Sequence, residues 1–160
     1  MIKVLFVCLG NICRSPLAEA IFNQKIKDLG LEKEVTSDSA GTSRYHLQEP
    51  PDKRTIEVAK KHNIPVNHLG RQIGTEDFDN FNYILAMDRD NMDEILALKK
   101  YANLQKMPEI ELMRSFDDIK SGEDVPDPYF GGNDGFQLVY QILDESIDNF
   151  IKYIREQKRI

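Results

Sequence analysis

Sixteen residues near the start of the chain, Val4 to Glu19, reading VLFVCLGNICRSPLAE, constrain its fold more than any other stretch. Val4 to Val7 is a short apolar run of β-branched and aromatic residues, the pattern of a strand buried on both faces. Ser15-Pro16 reads as a helix start, with Ser15 as N-cap and Pro16 at the first helical position. Between them, Cys8-Leu9-Gly10-Asn11-Ile12-Cys13-Arg14 has room only for a tight loop. Such a loop turns successive backbone N–H groups into one concavity, and the helix behind it adds the positive end of its dipole. The result is a nest for an anion. Gly10 and Asn11 are the residues that accept the left-handed backbone this curvature calls for. Cys8 opens the loop and Arg14 closes it. A thiol ringed by N–H dipoles, a helix N-terminus and a guanidinium is favoured as its thiolate, and the planar fork of Arg14 matches two oxygens of a phosphate. A thiolate beneath a phosphate held in this way is in line to attack phosphorus.

The rest of the chain alternates strand and helix signals. A helical stripe of Leu17, Ala18, Ile21, Phe22, Ile26 and Leu29 ends at Gly30. A strand over Val35 to Ala40 comes next. A helix over Asp52 to His62 turns Ile56 and Ala59 inward, and a short helix over Thr75 to Phe81 is capped by Thr75. Tyr83 to Met87 reads as a buried strand, and Asp88 caps a helix running through Leu98. Met107 to Met113 is a weaker strand. Ser115 to Asn133 is a long polar loop, of a length that in a compact domain marks function. Phe136 to Arg155 is a long amphipathic helix. This alternation predicts an α/β fold of three layers, a four-stranded parallel sheet flanked by helices, with the phosphate-binding loop after the first strand. In such sheets ligands bind at the carboxyl ends of strands, where the Cys8 loop falls.

With 160 residues and no linker-like stretch or repeat, the chain is expected to form a single domain over 1–160, burying about 70% of its unfolded surface. A net charge of −6 argues against a nucleic-acid partner, and it leaves attraction of an anionic substrate to the loop itself. No apolar run approaches the ~20 residues of a membrane span, so no membrane insertion is expected. Two cysteines without a signal-like segment point to a reducing, cytoplasmic setting. The histidines (His46, His62 and His68) lack metal-site spacing, and no cofactor is called for.

Cleavage of a phosphomonoester requires protonation of the leaving oxygen. Asp127-Pro128-Tyr129, in the long polar loop, offers a carboxylate on a segment able to cover the site. Asp117, Asp118 and Asp124 are nearby rivals. Ser15 can cap its helix, donate its hydroxyl to Cys8, or both. Asn11 is either a tolerated left-handed residue or a strut for the loop. Cys13 alone would read as a small buried residue, and Ser39 as a strand-end serine.

Cys8 with Arg14 six positions on and Ser15 next matches the C-x5-R-[ST] signature of cysteine-dependent phosphatases. Its place at the start of the chain, with Asn11, Pro16, Asp38 to Gly41, Arg71-Gln72-Ile73, Ala86-Met87-Asp88 and the late Asp127-Pro128-Tyr129, resembles the low-molecular-weight protein tyrosine phosphatase family across nearly the whole chain. The resemblance implies a four-stranded parallel sheet and hydrolysis of phosphotyrosine and small aryl phosphates, without metal, through a phosphocysteine. It implies Cys8 as nucleophile, Arg14 as phosphate clamp, and Asp127 as acid and then base. The loop residues Leu9, Gly10, Asn11, Ile12, Cys13, Arg14 and Ser15 would hold the phosphoryl oxygens. Asn11, Ser15, Ser39 and His68 would support the loop, and Leu9, Ile12, Tyr45, Tyr129 and Phe130 would contact the substrate ring. Tyr45 stands where many members have Trp, and Phe130 where some have a second Tyr. Cys8 and Cys13 would form a reversible, protective disulfide. The implied partners are a phosphotyrosine-containing protein and oxyanions in the site, with a monomer or weak homodimer as the assembly.

Three rival readings are weighed on residues. An arsenate reductase of this fold needs two further cysteines downstream, and none follows Cys13. A phosphoarginine phosphatase resembles the same loop but carries Thr where Ile12 stands. A non-catalytic phosphotyrosine reader would ordinarily have lost the nucleophile, the arginine or the acid.

Overall fold

The computed structural model describes residues 1–157 and 159–160. The first apolar run forms β1 (Ile2–Cys8) at the middle of the sheet. β2 (Val35–Gly41) pairs with β1 on one side and β3 (Tyr83–Ala86) on the other, with β4 (Glu109–Leu112) outside β3. All three pairings are parallel, in the order β2-β1-β3-β4. The chain therefore leaves β1 toward one edge and returns to fill the other side, so the loop after Cys8 lies at the point where strand order reverses. Open α/β sheets bind their ligands there.

Because both faces of β1 are covered, its residues are apolar without alternation. On one face Val4, Phe6 and Cys8 pack with α1 (Arg14–Asp28), α2 (Lys53–Lys60) and α5 (Asn133–Glu156). On the other, Leu5, Val7, Ile84 and Ala86 meet Phe78 of α3 (Asp77–Asn80) and Ile95 of α4 (Arg89–Lys99). The structure has the three-layer α/β architecture expected from the alternation.

Local signals account for the C-terminal end of α1 and the N-terminal ends of α2 and α4. Gly30 takes φ +69° just past α1, where Leu31 N–H bonds Ile26 O and Gly30 N–H bonds Lys27 O, each at 3.0 Å. That is the paired closure of a glycine-terminated helix. Asp52 and Asp88 cap α2 and α4 by accepting from Arg54 N–H and Asn91 N–H.

Five expectations need correction. Ser15 is not an N-cap: α1 begins at Arg14 with Cys13 as the capping residue, so Ser15 and Pro16 lie inside the first turn. The tight loop is shorter than the polar signals suggest, because Arg14 is already helical. Thr75 does not cap α3, which starts only at Asp77 after Glu76. Ile56 faces outward at 37% exposure, and the inward positions of α2 are Thr55, Val58 and Ala59. Finally, the segment expected to be loop from Ser115 on opens inside a 3-10 turn over Met113–Phe116.

Phe150 of α5 joins helix to sheet, with its ring centroid 6.0 Å from Phe22, 5.3 Å from Tyr83 and 5.0 Å from Phe116. Its removal leaves a cavity that three aromatic rings border, so Phe150→Ala is expected to destabilise the fold by about 3–5 kcal/mol. Urea unfolding checks this: the midpoint should fall with the slope unchanged.

Candidate active site

The segment from Cys8 to Ser15 closes into a cradle because its carbonyls are engaged from outside. Thr42 N–H bonds Cys8 O at 2.9 Å, and Ser43 N–H bonds Leu9 O at 3.0 Å. Asp52 N–H reaches Ile12 O at 2.8 Å, and Thr55 Oγ1 donates to Cys13 O at 3.5 Å. With these carbonyls turned outward, the amides turn inward. Among the described residues, the only amide from Gly10 to Ser15 with a protein acceptor is that of Asn11, which points at Cys8 Sγ from 3.3 Å. A run of unmatched N–H groups at a helix start is what an oxyanion requires.

Asn11 holds this shape. It is 1% exposed and has φ +57°. Its Nδ2 donates to Ser15 Oγ at 2.8 Å and Ser39 Oγ at 3.0 Å. Its Oδ1 accepts from Arg71 N–H at 3.0 Å and lies 2.6 Å from His68 Nε2. Since the Arg71 amide fixes Oδ1 as the acceptor, His68 must carry its proton on Nε2. Both readings of Asn11, left-handed residue and strut, hold at once. Gly10 differs from expectation: it takes no left-handed backbone. A Cβ there would stand 3.1 Å from the His46 ring, so close approach is the reason for glycine.

Ser15 Oγ accepts from Asn11, and the acceptors within reach of its own hydrogen are Cys8 Sγ at 3.0 Å and Ala40 O at 3.4 Å. Ser39 passes a hydrogen bond to Glu19 Oε1 at 2.8 Å. Behind it, His68 Nδ1 sits 3.2 Å from Glu19 and 3.7 Å from Asp38, while Arg71 Nε donates to Asp38 Oδ2 at 3.0 Å. Glu19, Asp38 and His68 thus come within 4.8 Å of one another, a grouping of ligand-type residues that sequence spacing hides. Each has a protein partner already: Ser39 for Glu19, Arg71 for Asp38 and Asn11 for His68.

Arg14 is 2% exposed, so its charge demands partners. Nη1 donates to Asp88 Oδ2 at 2.6 Å and to Val125 O at 2.9 Å, and Nη2 faces Asp127 Oδ2 at 3.6 Å. Burial works against the charge, but Cys8 and Asp88 outweigh it and hold the guanidinium pKa above its ordinary value. Asp88 enters the sequence analysis as a cap and within a stretch of family resemblance, and not as the partner of Arg14. One of its oxygens caps α4 through Asn91 N–H at 2.7 Å while the other takes Arg14. Val125 N–H in turn bonds Met87 O at 2.7 Å, so the loop carrying Asp127 is pinned to the end of β3.

A cleft of about 230 Å³ opens over the cradle, and its walls bring together Cys8, Arg14, Asp127, Leu9, Ile12, Tyr45, Tyr129 and Phe130. The rivals of Asp127 are elsewhere: Asp124 accepts from Arg89 N–H at 3.0 Å, and Asp117 pairs with Arg114 at 2.7 Å. Tyr45 and Phe130 are 78% and 94% exposed, so their rings have faces available to a ligand. His46, which nothing in its sequence context singles out, also lines the cleft, with Nδ1 held by Glu49 Oε2 at 2.6 Å. His62 is removed from the site and stacks on Tyr140 at 3.8 Å.

The sequence matches a family model described as low molecular weight phosphotyrosine protein phosphatase over residues 3–160. The chain belongs to that family. A low molecular weight phosphotyrosine protein phosphatase of Schizosaccharomyces pombe is 45% identical over 154 residues, 96% of this chain and 97% of the relative. Among solved structures, a protein tyrosine phosphatase from Entamoeba histolytica with Hepes in its active site superimposes with a TM-score of 0.88 at 42% identity, covering 99% of each chain. A Drosophila arginine phosphatase gives a TM-score of 0.90 at 37% identity, covering 95% of this chain and 97% of that one.

The two cysteines of this family member are both free and buried. Burial, with Asp52 and Cys8 adding repulsion, pushes the Cys13 thiol up to about 12. Cys13 therefore stays protonated through the neutral range. In the native protein near pH 7, iodoacetamide is expected to label Cys8 and spare Cys13 until the chain is unfolded, read by peptide mass spectrometry. By the same token the protonated Cys13 favours the fold below the ordinary thiol value of 9.0, and that contribution is lost as pH rises from there toward about 12. A second expectation concerns Asn11→Ala, which strands the partners of four hydrogen bonds. It should lower stability by about 2–4 kcal/mol and cut turnover more steeply than the same change at the exposed Asn133.

Proposed function

We propose that residues 1–160 act as one domain that hydrolyses phosphotyrosine in proteins, and small aryl phosphates, in two steps. The observation that carries this reading is the thiol of Cys8 at the floor of a cradle whose amides face inward, with Arg14 beside it and one carboxylate above. In the first step the Cys8 thiolate, supported by the Ser15 hydroxyl and Asn11 N–H, attacks phosphorus in line with the phenolic oxygen. The loop amides and Arg14 take the charge that spreads over the equatorial oxygens. Asp127 gives its proton to the leaving phenol, and a phosphocysteine results. In the second step Asp127 accepts a proton from water as that water attacks phosphorus, and phosphate departs from Cys8.

The walls of the cleft favour an aryl substrate. Leu9, Ile12, Tyr45, Tyr129 and Phe130 offer apolar and aromatic surface around the mouth of the cradle. Asp127 is the single carboxylate lining the cleft among the described residues, which leaves none over to pair with the guanidinium of phosphoarginine. No described helix is long and apolar enough to cross a membrane. A free active-site thiol suits the reducing cytoplasm, and the protein would work there as a monomer or weak homodimer. With a peroxide as oxidant, Cys8 would become a sulfenic acid that the Cys13 thiol condenses with, releasing water, and the resulting disulfide, reopened by an external thiol, would shield the nucleophile.

Hydrolysis of p-nitrophenyl phosphate against pH, without added metal, tests the reading. The wild type is expected to turn over in the mildly acidic range. Cys8→Ser should abolish turnover, and Asp127→Ala should reduce it about 10²–10⁴-fold and flatten the pH profile. A wild type that binds phosphotyrosine without turnover would leave a phosphate reader, and preference for a phosphoarginine peptide would transfer the site to that substrate.

A further inference from the structure

Asp127 lies on a loop, and a general acid works only when held within hydrogen-bond reach of its leaving group. On the N-terminal side the loop is fastened through Val125. On its other side a single side chain from a distant helix fastens it. We propose that Arg54, at the second position of α2, is a positioning residue for the acid: it fixes the turn from Asp127 to Gly131 and so keeps the Asp127 carboxyl over the cradle. This rests on the assignment of Asp127 above.

Nη2 of Arg54 donates to Tyr129 O at 3.0 Å, and Nη1 donates to Gly131 O at 3.1 Å. The same guanidinium is gripped from behind by Asp52, with Nε to Oδ1 and Nη2 to Oδ2, both at 3.0 Å. Its plane also rests 4.5 Å from the Phe136 ring centroid at the start of α5 and 5.7 Å from that of Tyr129. Such a planar, forked donor is positioned by its partners before it acts, which a lysine could not match. The turn completes the chain of contacts. Tyr129, whose carbonyl Arg54 holds, turns its own N–H to Asp127 Oδ1 at 3.1 Å, and Gly131 N–H bonds Pro128 O at 3.0 Å. Asp52, at the other end, donates its N–H to Ile12 O in the cradle at 2.8 Å. A continuous line of hydrogen bonds therefore runs from the phosphate loop through Asp52, Arg54 and the Tyr129 peptide to the acid.

Arg54 does not line the cleft, so its effect is indirect. Its hydrogen bonds to Asp52 hold that carboxyl below the ordinary carboxylate range, which keeps the brace charged in the acidic range where a protonated Asp127 is needed. The brace should matter in proportion to how much the reaction needs a proton. Tyrosine, with a pKa of about 10, is a poor leaving group without one. Dinitrophenolate leaves as the anion unaided.

The test compares kcat/KM for phosphotyrosine and dinitrophenyl phosphate in wild type, Arg54→Met, Asp127→Ala and the double variant. Methionine keeps apolar bulk over Phe136 and removes every donor, and thermal melting confirms that the variants are folded. The expected result is a fall of about 10–100-fold for phosphotyrosine in Arg54→Met, with dinitrophenyl phosphate within about twofold of wild type and almost no further loss when Arg54→Met is added to Asp127→Ala. Equal losses on both substrates, or losses that multiply in the double variant, would show a merely structural brace and overturn the proposal. Should Asp127→Ala itself fail to discriminate between the two leaving groups, the acid assignment falls first and the role of Arg54 falls with it.

Discussion

The carbonyl groups of the Cys8–Ser15 segment set the terms for the rest of the molecule. A peptide unit turned inside out, with N–H toward a cavity and C=O toward the protein, persists only if each carbonyl finds a donor. Here the donors come from the chain just after β2 and from the start of α2. Those segments lie far along the chain from the loop, with Thr55 42 residues from Cys13, and the fold brings both to the carboxyl end of β1. The cradle is thus a tertiary product. The left-handed backbone of Asn11 allows the curvature, and the surrounding donors make it the stable choice.

Asn11 and Arg14 show how a buried polar group can organise a site. Asn11 uses its amide fully, so replacing any partner leaves another group unmatched. Arg14 is held through Nη1 by Asp88 and Val125 O and turns Nη2 toward Asp127. The first nitrogen fixes the orientation that the second uses. Asp88 ties this to α4, whose N-terminus is closed by the same carboxylate.

Much of this could be read in the sequence where the signal was local. The buried run at Val4, the glycine that ends α1, the Asp cap of α4 and the stripe of α5 all express short-range chemistry. The Cys8 and Arg14 pair, with Asp127 in a long polar loop, was visible for the same reason and through family resemblance. What stayed hidden depends on separation in sequence. Asp88 is 74 residues from Arg14, and Arg54 is 75 from Tyr129. His46 declares itself only by the space it takes beside Gly10. Ile56 misled because a small helix with few apolar positions leaves its phase poorly determined, and packing against α1 and α5 turned Thr55 and Val58 inward instead. Ser15 misled because a serine before a proline looks like a cap, whereas here its hydroxyl is committed to the interior of the site.

The inward-facing amides have one more consequence. Backbone donors shielded from protein acceptors weaken a fold, and a tetrahedral oxyanion supplies several acceptors at once. Any such anion that binds the folded chain and not the unfolded one adds about 2.7 kcal/mol of stability at a hundred times its dissociation constant. Phosphate, the product of the reaction, is therefore also a structural ligand: as it accumulates it holds the scaffold more tightly while it competes for the site.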